Sequence, residues 1–273
     1  MAQTNKNYSK LTNLELSIQI SLSGLSFCIL QSDTKTITTL RHVNFDKKLN
    51  PFEVLDKLTH LFNTEDVLQV PFNNVNVIHA NELSTLVPKP LFKEDCLADY
   101  LKFNSKILKS DFIAFDEITS NDSVNVYVPY ININNFIYEK FGSFTYKHFS
   151  TILIEHILFI EKNSENTKVY VNVNSNHFEI IVIEKGKLIL YNTFEYTTKE
   201  DFVYYILFTA EQLKLNPETL NLILLGDVNK DTDLYKIAYK YIRHVSFGKR
   251  LDNYKYLEQP QTNHSNFILA HSF

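Results

Sequence analysis

Residues 17–25, Ser-Ile-Gln-Ile-Ser-Leu-Ser-Gly-Leu, align without a gap with residues 170–178, Tyr-Val-Asn-Val-Asn-Ser-Asn-His-Phe. Sequence identity between the two stretches is negligible, but their polar and apolar positions coincide. Each stretch alternates apolar and polar side chains up to a polar turn, which predicts a β-hairpin with one more buried face. Similar elements follow each hairpin, so the alignment predicts an internal duplication.

The first ninety residues are predicted to fold in the order β-β-β-α-β. The alternation begins at Leu14, and the helix is predicted to begin with Asn50 as N-cap, Pro51 at the first helical position and Glu53 at the third. The predicted segments are strands at 14–20, 25–30, 36–45 and 74–80 and a helix from 50 to 62.

The rest of the chain is predicted to contain an intervening region and then a second copy of this order. The intervening region comprises an extended stretch at 86–92, a short helix at 94–103, strands at 111–118 and 123–130, a helix at 132–141 and a strand entering a helix at 144–160. After the polar linker 163–167, the second copy reads β-β-β-α-β-α-β, with strands at 169–174, 178–183, 187–194, 220–225 and 245–247 and helices at 198–215 and 231–242.

Composition and charge exclude several classes of protein. The 273 residues carry 27 basic and 31 acidic side chains, a formal net charge of −4, which gives no electrostatic basis for binding nucleic acid. The chain has no apolar run of about 18 residues, so no direct membrane insertion is expected. The N-terminal residues lack the apolar stretch of a secretory signal, and two cysteines, Cys28 and Cys96, are too few for a disulfide framework. We therefore expect a cytoplasmic protein.

Glycine is scarce. The chain has 5 glycines, whereas average usage would give about 19. Glycine allows the close backbone approach on which phosphate-binding loops depend, so this composition leaves little material for a nucleotide cradle. An AT-rich coding sequence would also lower the glycine content, but it would do so everywhere along the chain.

Two halves that each open with a hairpin and continue in the order β-β-β-α-β-α resemble the actin-like ATPase fold, which actin and the sugar kinases share. The likeness is strongest to the pilus-assembly and cell-division members, and residues 169–227 carry most of it. Over its whole length the chain also resembles a bacterial family, domain of unknown function 3822. The resemblance implies an α/β fold with duplicated ribonuclease-H-like halves, at 11–162 with an insertion and at 163–273.

In active members of that superfamily each hairpin carries Asp-x-Gly. The Asp organises magnesium, and the Gly lets backbone amides reach the phosphates. Here the corresponding residues are Gln19-Ile20-Ser21 and Asn172-Val173-Asn174, while Leu225-Gly226-Asp227 keeps one of the paired glycines of the adenosine motif. Neutral amides are poor magnesium ligands, so the resemblance implies that hydrolysis is lost. The implied vestigial nucleotide cleft comprises Gln19, Ser21, Ser23, Asn172, Asn174, Ser175, His177, Gly226 and Asp227.

We expect a non-catalytic binding or assembly module with a protein partner and with no catalytic residue, metal site or cofactor, ATP being the one candidate ligand. The alternative is a divergent ATP-dependent phosphotransferase or ATPase, for which Asp227 is the best remaining catalytic residue. A nuclease would need further carboxylates at strand ends and a basic surface. Five tyrosines form either an exposed contact surface or, for the first two, a packed helix face: Tyr235, Tyr239, Tyr241, Tyr254 and Tyr256.

Overall fold

The computed structural model describes residues 13–273, so the predicted start of the first half at residue 11 lies outside the described residues. The strands are β1 (Leu14–Ile20), β2 (Gly24–Gln31), β3 (Thr36–Asn44), β4 (Asn74–His79), β5 (Ser84–Pro88), β6 (Ala114–Ile118), β7 (Ser123–Tyr127), β8 (Thr145–His148), β9 (Lys168–Val173), β10 (His177–Glu184), β11 (Lys187–Glu195), β12 (Asn221–Gly226), β13 (His244–Phe247) and β14 (Lys255–Tyr256). The α-helices are α1 (Pro51–Thr64), α2 (Leu97–Leu101), α3 (Ile131–Phe141), α4 (Phe149–Glu161), α5 (Lys199–Gln212), α6 (Asp233–Tyr241) and α7 (Phe267–Ala270).

Each half is built on one twisted sheet that begins as an antiparallel meander and continues with parallel strands. The strand order is β14-β3-β2-β1-β4-β8 in the first half and β11-β10-β9-β12-β13 in the second. Helices α1 and α3 cover one face of the first sheet, and α5 and α6 cover the corresponding face of the second, each pair over its own apolar core. The predicted start of α1 is confirmed, because Asn50 and Glu53 form a capping box around Pro51.

The register of the two sheets confirms the gap-free alignment of the hairpins. Gln19 pairs with Ser26 across β1 and β2, and Asn172, its aligned residue, pairs with Glu179 across β9 and β10. Both meanders also carry an irregularity at the same aligned point, between Ile29 and Leu30 in β2 and between Val182 and Ile183 in β10. A shared bulge at one register position is a feature that two unrelated hairpins rarely have in common, so the two halves are structural repeats.

The insertion lies between β4 and α3 of the first half. It forms a separate three-stranded sheet, β5-β7-β6, with α2 packed on it over a small core that includes Val87, Leu101, Val124 and Val126. The strands predicted at 111–118 and 123–130 are present but shorter, and the predicted helix 94–103 is a 3-10 turn followed by α2.

The two sheets share a third apolar core, which fills the space between the halves. Helix α4 occupies its centre with Ile152, Leu153, Ile157 and Leu158, and every residue of α7 is buried beside it. The strand entering a helix predicted at 144–160 is confirmed as β8 and α4. The predicted boundary at residues 162 and 163 stays a prediction, and it falls between α4 and β9.

Candidate functional site

All nine residues of the predicted cleft line two adjoining cavities at the polar end of the space between the sheets. A cavity of about 380 Å³ is bordered by Gln19, Asn172, Asn174, Gly226 and Asp227, together with residues from β3 and from the segment 258–269. A smaller cavity of about 40 Å³ is bordered by Gln19, Ser21, Ser23, Asn174, Ser175, His177 and Asp227. The structure therefore brings the predicted residues together, while the ligand for which they were predicted stays a prediction.

The turn of the first hairpin is closed by its own side chain. Ser21 Oγ accepts hydrogen bonds from the backbone N–H groups of Ser23 (3.2 Å) and Gly24 (3.0 Å) and donates to the Gly24 carbonyl (3.0 Å). Ser21 is the residue that the sequence resemblance aligns with the glycine of Asp-x-Gly. The hydroxyl thus uses backbone donors of the kind that would otherwise reach a phosphate.

The second hairpin is organised by a buried carboxylate that the sequence analysis did not select. Glu179 has no exposed surface, and its carboxylate accepts hydrogen bonds from Asn172 Nδ2 (2.7 Å) and Asn174 Nδ2 (3.2 Å). His177 Nε2 lies 3.3 Å from the other oxygen of the same carboxylate. A buried charge needs such partners to be tolerated, so Asn172 and Asn174 are committed to Glu179.

The imidazole of His177 is the cationic partner of this group. Burial lowers the pKa of His177, but the hydrogen bond to Glu179 and the charges of Glu179, Glu82 and Glu195 raise it by more, so the net pKa lies above its ordinary value. Glu82 follows β4 of the first half, so His177 also carries an electrostatic contact from one half to the other. The second hairpin is therefore held by an internal ion pair.

Gly226 is required by the fold itself. Its φ is +79°, and a Cβ at this position would lie 2.2 Å from the Val173 carbonyl oxygen on the neighbouring strand β9. The same crossing carries a hydrogen bond from Asp227 N to Val173 O (2.8 Å). The single glycine kept from the adenosine motif thus has a structural cause in the contact between β9 and β12.

A C-terminal segment, residues 262–266, covers the end of β12. The Gly226 N–H donates to the His264 carbonyl (3.0 Å), and His264 Nε2 donates to the Val228 carbonyl. The imidazole of His264 is 6% exposed and stacks on Phe247, with ring centroids 4.5 Å apart and planes 19° apart. The Gly226 N–H and the face of the Phe247 ring, both at the end of β12, are therefore already in contact with His264.

Arg250 holds this segment in place. It is 7% exposed and donates to the carbonyls of Thr262 (3.1 Å) and Ser265 (2.9 Å), while its Nε donates to Asp252 (3.0 Å). Tyr256 completes the group, because its hydroxyl donates to Asp252 and its ring lies under the guanidinium. Because the buried guanidinium of Arg250 has all of these partners, it holds the C-terminal segment in place as one wall of the larger cavity.

The larger cavity is lined by uncharged polar, apolar and a few charged residues. Arg41 and Glu258 form an ion pair at its rim, His42 hydrogen-bonds to Ser26, and Asp227 is exposed at the end of β12. Within residues 13–273 there is no cluster of three or more His, Cys, Asp or Glu side chains that could hold a metal ion. Such a surface can bind amide, hydroxyl or cationic groups through hydrogen bonds and Asp227.

Several residues of the cleft were missed by the sequence analysis. Glu179 had a detectable signal, since it is the single charged residue in the otherwise apolar stretch 178–183. Ser26 could have been found from the hairpin register, because it lies opposite Gln19. His264 and Arg250 had none, because both reach the site through long-range packing of a segment without periodicity.

The tyrosines proposed as one surface do not form one. Tyr235 stacks on Phe247 and on Tyr239, whereas Tyr254 and Tyr256 pack against the core between the halves. Tyr239 and Tyr241 are largely exposed. Both proposed readings therefore apply in part, to different members of the set.

His148 is buried in a polar network that joins the insertion to α4. Its Nδ1 accepts from the Ser150 hydroxyl (2.7 Å) and its Nε2 donates to the Asn81 carbonyl (3.1 Å), while Asp116 accepts from the His148 N–H and from Thr151. His148 is also the N-cap of α4. This network stabilises the junction.

Among residues 13–273, no helix has both the length and the apolar character needed to cross a bilayer.

Comparison with known proteins agrees with the architecture. A model of the family described as "Protein of unknown function (DUF3822)" matches residues 3–245. A Bacteroides thetaiotaomicron protein with actin-like ATPase fold and unknown function is similar at 25% identity and a TM-score of 0.79, over 89% of this chain and 93% of that one. No curated protein matches the chain.

Two more distant structures show the same fold. A chain of the PilM-PilN type IV pilus biogenesis complex is similar at 10% identity and a TM-score of 0.60, over 94% of this chain and 96% of that one. The ethanolamine utilization protein EutJ from Carboxydothermus hydrogenoformans is similar at 9% identity and a TM-score of 0.52, over 96% and 89%. The fold is that of the actin-like ATPases, with two ribonuclease-H-like halves, as the sequence resemblance predicted.

Proposed function

This chain belongs to the DUF3822 family, and we propose that it is a non-catalytic actin-like-fold protein that acts as a binding or assembly module. Its nucleotide site has lost the chemistry of hydrolysis. The observation that carries the proposal is the pairing of Asn172 with the buried carboxylate of Glu179 at 2.7 Å.

That pairing is incompatible with the aspartate of an active hairpin. An Asp at position 172 would place a second carboxylate against the buried Glu179, where two like charges cannot both ionise without large cost. Phosphoryl transfer depends on a metal ion that a hairpin carboxylate positions. Glu179 itself is engaged by Asn172, Asn174 and His177, which supports a structural role for its charge.

The other two parts of the cleft support the same proposal. Ser21 uses hairpin amides of the first half for its own hydroxyl, and His264 uses the donor and the stacking surface at the end of β12. Ser21, Asn172, Asn174 and Gly226 thus have partners within the chain, whereas Asp227 is exposed at the end of β12. We propose that the cleft now serves to join the halves.

The role as a module rests on the comparison and on the cavity. One similar structure is a complex, PilM-PilN, which supports a protein partner for this chain as well. The proposal includes a cytoplasmic location, which two free cysteines, Cys28 and Cys96, support because thiols persist in a reducing compartment.

The test is to titrate the full chain with ATP and ADP by calorimetry, with and without magnesium, and to measure phosphate release in parallel. We expect no magnesium-dependent binding and no phosphate release above the buffer.

The variant Asn172→Asp is expected to lose about 3 kcal/mol of unfolding free energy, because it removes a donor from Glu179 and adds a like charge. The matched control Asn104→Asp, at an exposed position after α2, should change stability by less than about 0.5 kcal/mol.

A divergent ATP-dependent phosphotransferase or ATPase is the second candidate function. Asp227 favours it, because its carboxylate is exposed at the end of β12 and borders both cavities. Magnesium-dependent phosphate release that the variant Asp227→Asn abolishes would establish this alternative and refute the non-catalytic proposal.

A further inference from the structure

Strand β11 is an unusually long open edge. It has 9 residues, whereas the other edge strands of the described sheets, β5, β6, β8, β13 and β14, have 2 to 5. Its charged residues are confined to the two ends, Lys187 and Glu195, and the seven residues between them carry no charge. Native proteins guard exposed edges with short strands, charges or proline. Apart from one bulge, β11 has none of these protections along its interior, so an edge of this length indicates a surface that pairs with another strand.

A row of aromatic side chains lies beside this edge. Phe194 of β11 stacks on Tyr205 of α5, with centroids 4.6 Å apart, and Tyr205 contacts Tyr204, which stacks on Phe208. Tyr204 is 59% exposed and Phe208 is 43% exposed. Adjacent exposed aromatics are characteristic of contact surfaces, and this row continues directly from the open edge.

The first half shows what an equivalent edge does in this chain. There the edge strand β3 is covered at its start by β14, with hydrogen bonds from Lys255 N to Lys35 O (2.9 Å) and from Leu257 N to Ile37 O (3.0 Å). The bulge that β3 and β11 share does not prevent this pairing. Within residues 13–273 no segment covers β11 in the same way.

We propose that β11 and the aromatic row bind an extended segment of a partner protein, which adds to the second sheet as a sixth strand. Alternate side chains of that segment are apolar and pack on Tyr204 and Phe208. This proposal rests on the proposed function as a binding module and identifies where the partner docks. Strand addition supplies backbone hydrogen bonds for affinity and side-chain contacts for specificity.

A second copy of the chain fits this surface less well. A nine-residue strand edge covers a strip of roughly 30 Å by 10 Å, or about 300 Å² per partner. A standard interface between two folded proteins needs about 800 Å² per partner. The strip along β11 is well below that area, whereas a flexible segment can pair with the edge and then continue over the exposed aromatic side chains of α5.

One backbone group marks the open side of the strand. The Thr193 N–H donates to the Asn192 side-chain oxygen (2.9 Å), so this amide lies on the side facing away from β10, and a pairing strand would take the place of that oxygen. Residues two apart in a strand direct their backbone groups to the same side, so the Tyr191 N–H faces the same way. A proline at position 193 would remove one outward donor and no bond of the β10–β11 ladder.

The experiment selects peptides from a phage-displayed random library on the immobilised full chain and measures binding of the enriched synthetic peptides. We expect apolar residues at alternate positions and slower amide exchange over residues 187–195 when peptide is bound. Thr193→Pro should weaken binding about tenfold, as loss of one backbone bond in a strand pairing predicts, while the control Thr193→Val should bind like the wild type. Tyr204→Lys should also weaken binding, and Phe159→Lys, exposed on α4, should not.

Three results would overturn the proposal. The first is a selection that enriches no peptides. The second is slower amide exchange in a segment other than β11 when peptide is bound. The third is binding by Thr193→Pro and Tyr204→Lys that equals binding by the wild type. A dimer that Tyr204→Lys or Thr193→Pro dissociates would assign the edge to a second copy instead. Magnesium-dependent phosphate release would refute the non-catalytic function without bearing on peptide binding, so the two failures are distinguishable.

Discussion

Replacing Gly226 by alanine tests whether the fold alone accounts for the one glycine kept from the adenosine motif. An alanine at a φ of +79° adopts the left-handed region, and its Cβ would lie 2.2 Å from the Val173 carbonyl oxygen. Normal contact requires the two atoms to separate by about 1 Å. The Val173 oxygen is a backbone atom and the Cβ is attached directly to the backbone of residue 226. Neither can move without its strand, so β9 and β12 must move apart at this point.

The magnitude follows from the groups at that crossing. The left-handed backbone costs a non-glycine residue about 1–2 kcal/mol. Opening the crossing also breaks the hydrogen bond from Asp227 N to Val173 O and the one from Gly226 N to His264 O, each contributing about 1 kcal/mol. We expect Gly226→Ala to lose about 3–4 kcal/mol of unfolding free energy.

Urea unfolding of the full chain measures this loss, and Gly142→Ala is the matched control. Gly142 has a φ of +75° and a ψ of −108°, but nothing lies within 4 Å of its added Cβ. Its variant therefore carries backbone strain alone and should lose about 1–3 kcal/mol. If both variants lose the same amount, the contact with Val173 does not explain Gly226. The glycine would then have to be kept for the close approach of a ligand, which would support nucleotide binding.

Three further predictions concern titration and reactivity. Burial lowers the pKa of His177, but Glu179 raises it by more, so protonated His177 stabilises the fold fully below pH 6.5. This stabilisation is lost as the pH rises through the pKa of the folded protein. The urea midpoint of the wild type should therefore fall over this pH range, and that of His177→Gln should fall less. Burial lowers the pKa of His79 to about 4 and that of His148 to about 3, so the unfolded chain binds protons at these residues more readily than the folded one. The free energy of unfolding should therefore fall as the pH drops below 6.5, and it should fall less steeply in His79→Gln. Burial raises the pKa of the Cys28 thiol, so a thiol reagent should modify Cys96 in the native protein and Cys28 only after denaturation; native Cys96→Ser should not react.

The repeated architecture could be predicted because its signals are local. Alternation fixed the strands of both meanders, and the cap at Asn50 fixed the start of α1. The helix predicted to end at Leu215 ends earlier, at Gln212, because Lys214 adopts a left-handed φ of +57° and the Leu215 N–H returns to Ala210. A lysine gives no sequence signal for such an end, which glycine usually provides.

The C-terminal elements could not be predicted. β14 has 2 residues and α7 has 4, too few for a period of either type to be recognised. Both are fixed by contacts with distant parts of the chain, β14 by the edge of β3 and α7 by α4. Because Arg250 and His264 belong to this part of the chain, the wall of the cleft was missing from the sequence analysis.

The nine residues predicted for the cleft lie together around the two cavities, and their role there stays a prediction. The reason for the chemistry of Asn172 and Asn174 was not visible in either hairpin strand alone. Asn172 is neutral where an active relative is acidic, and the acid lies across the ladder at Glu179 instead. His177 then supplies the positive charge that this carboxylate needs. These three residues depend on one another, because a change of Asn172 or His177 removes part of what stabilises the buried Glu179 carboxylate, and a change of Glu179 leaves the buried Asn172 amide without this acceptor. Recovery of the aspartate would therefore require at least two coupled substitutions, and general loss of glycine cannot by itself explain such an arrangement.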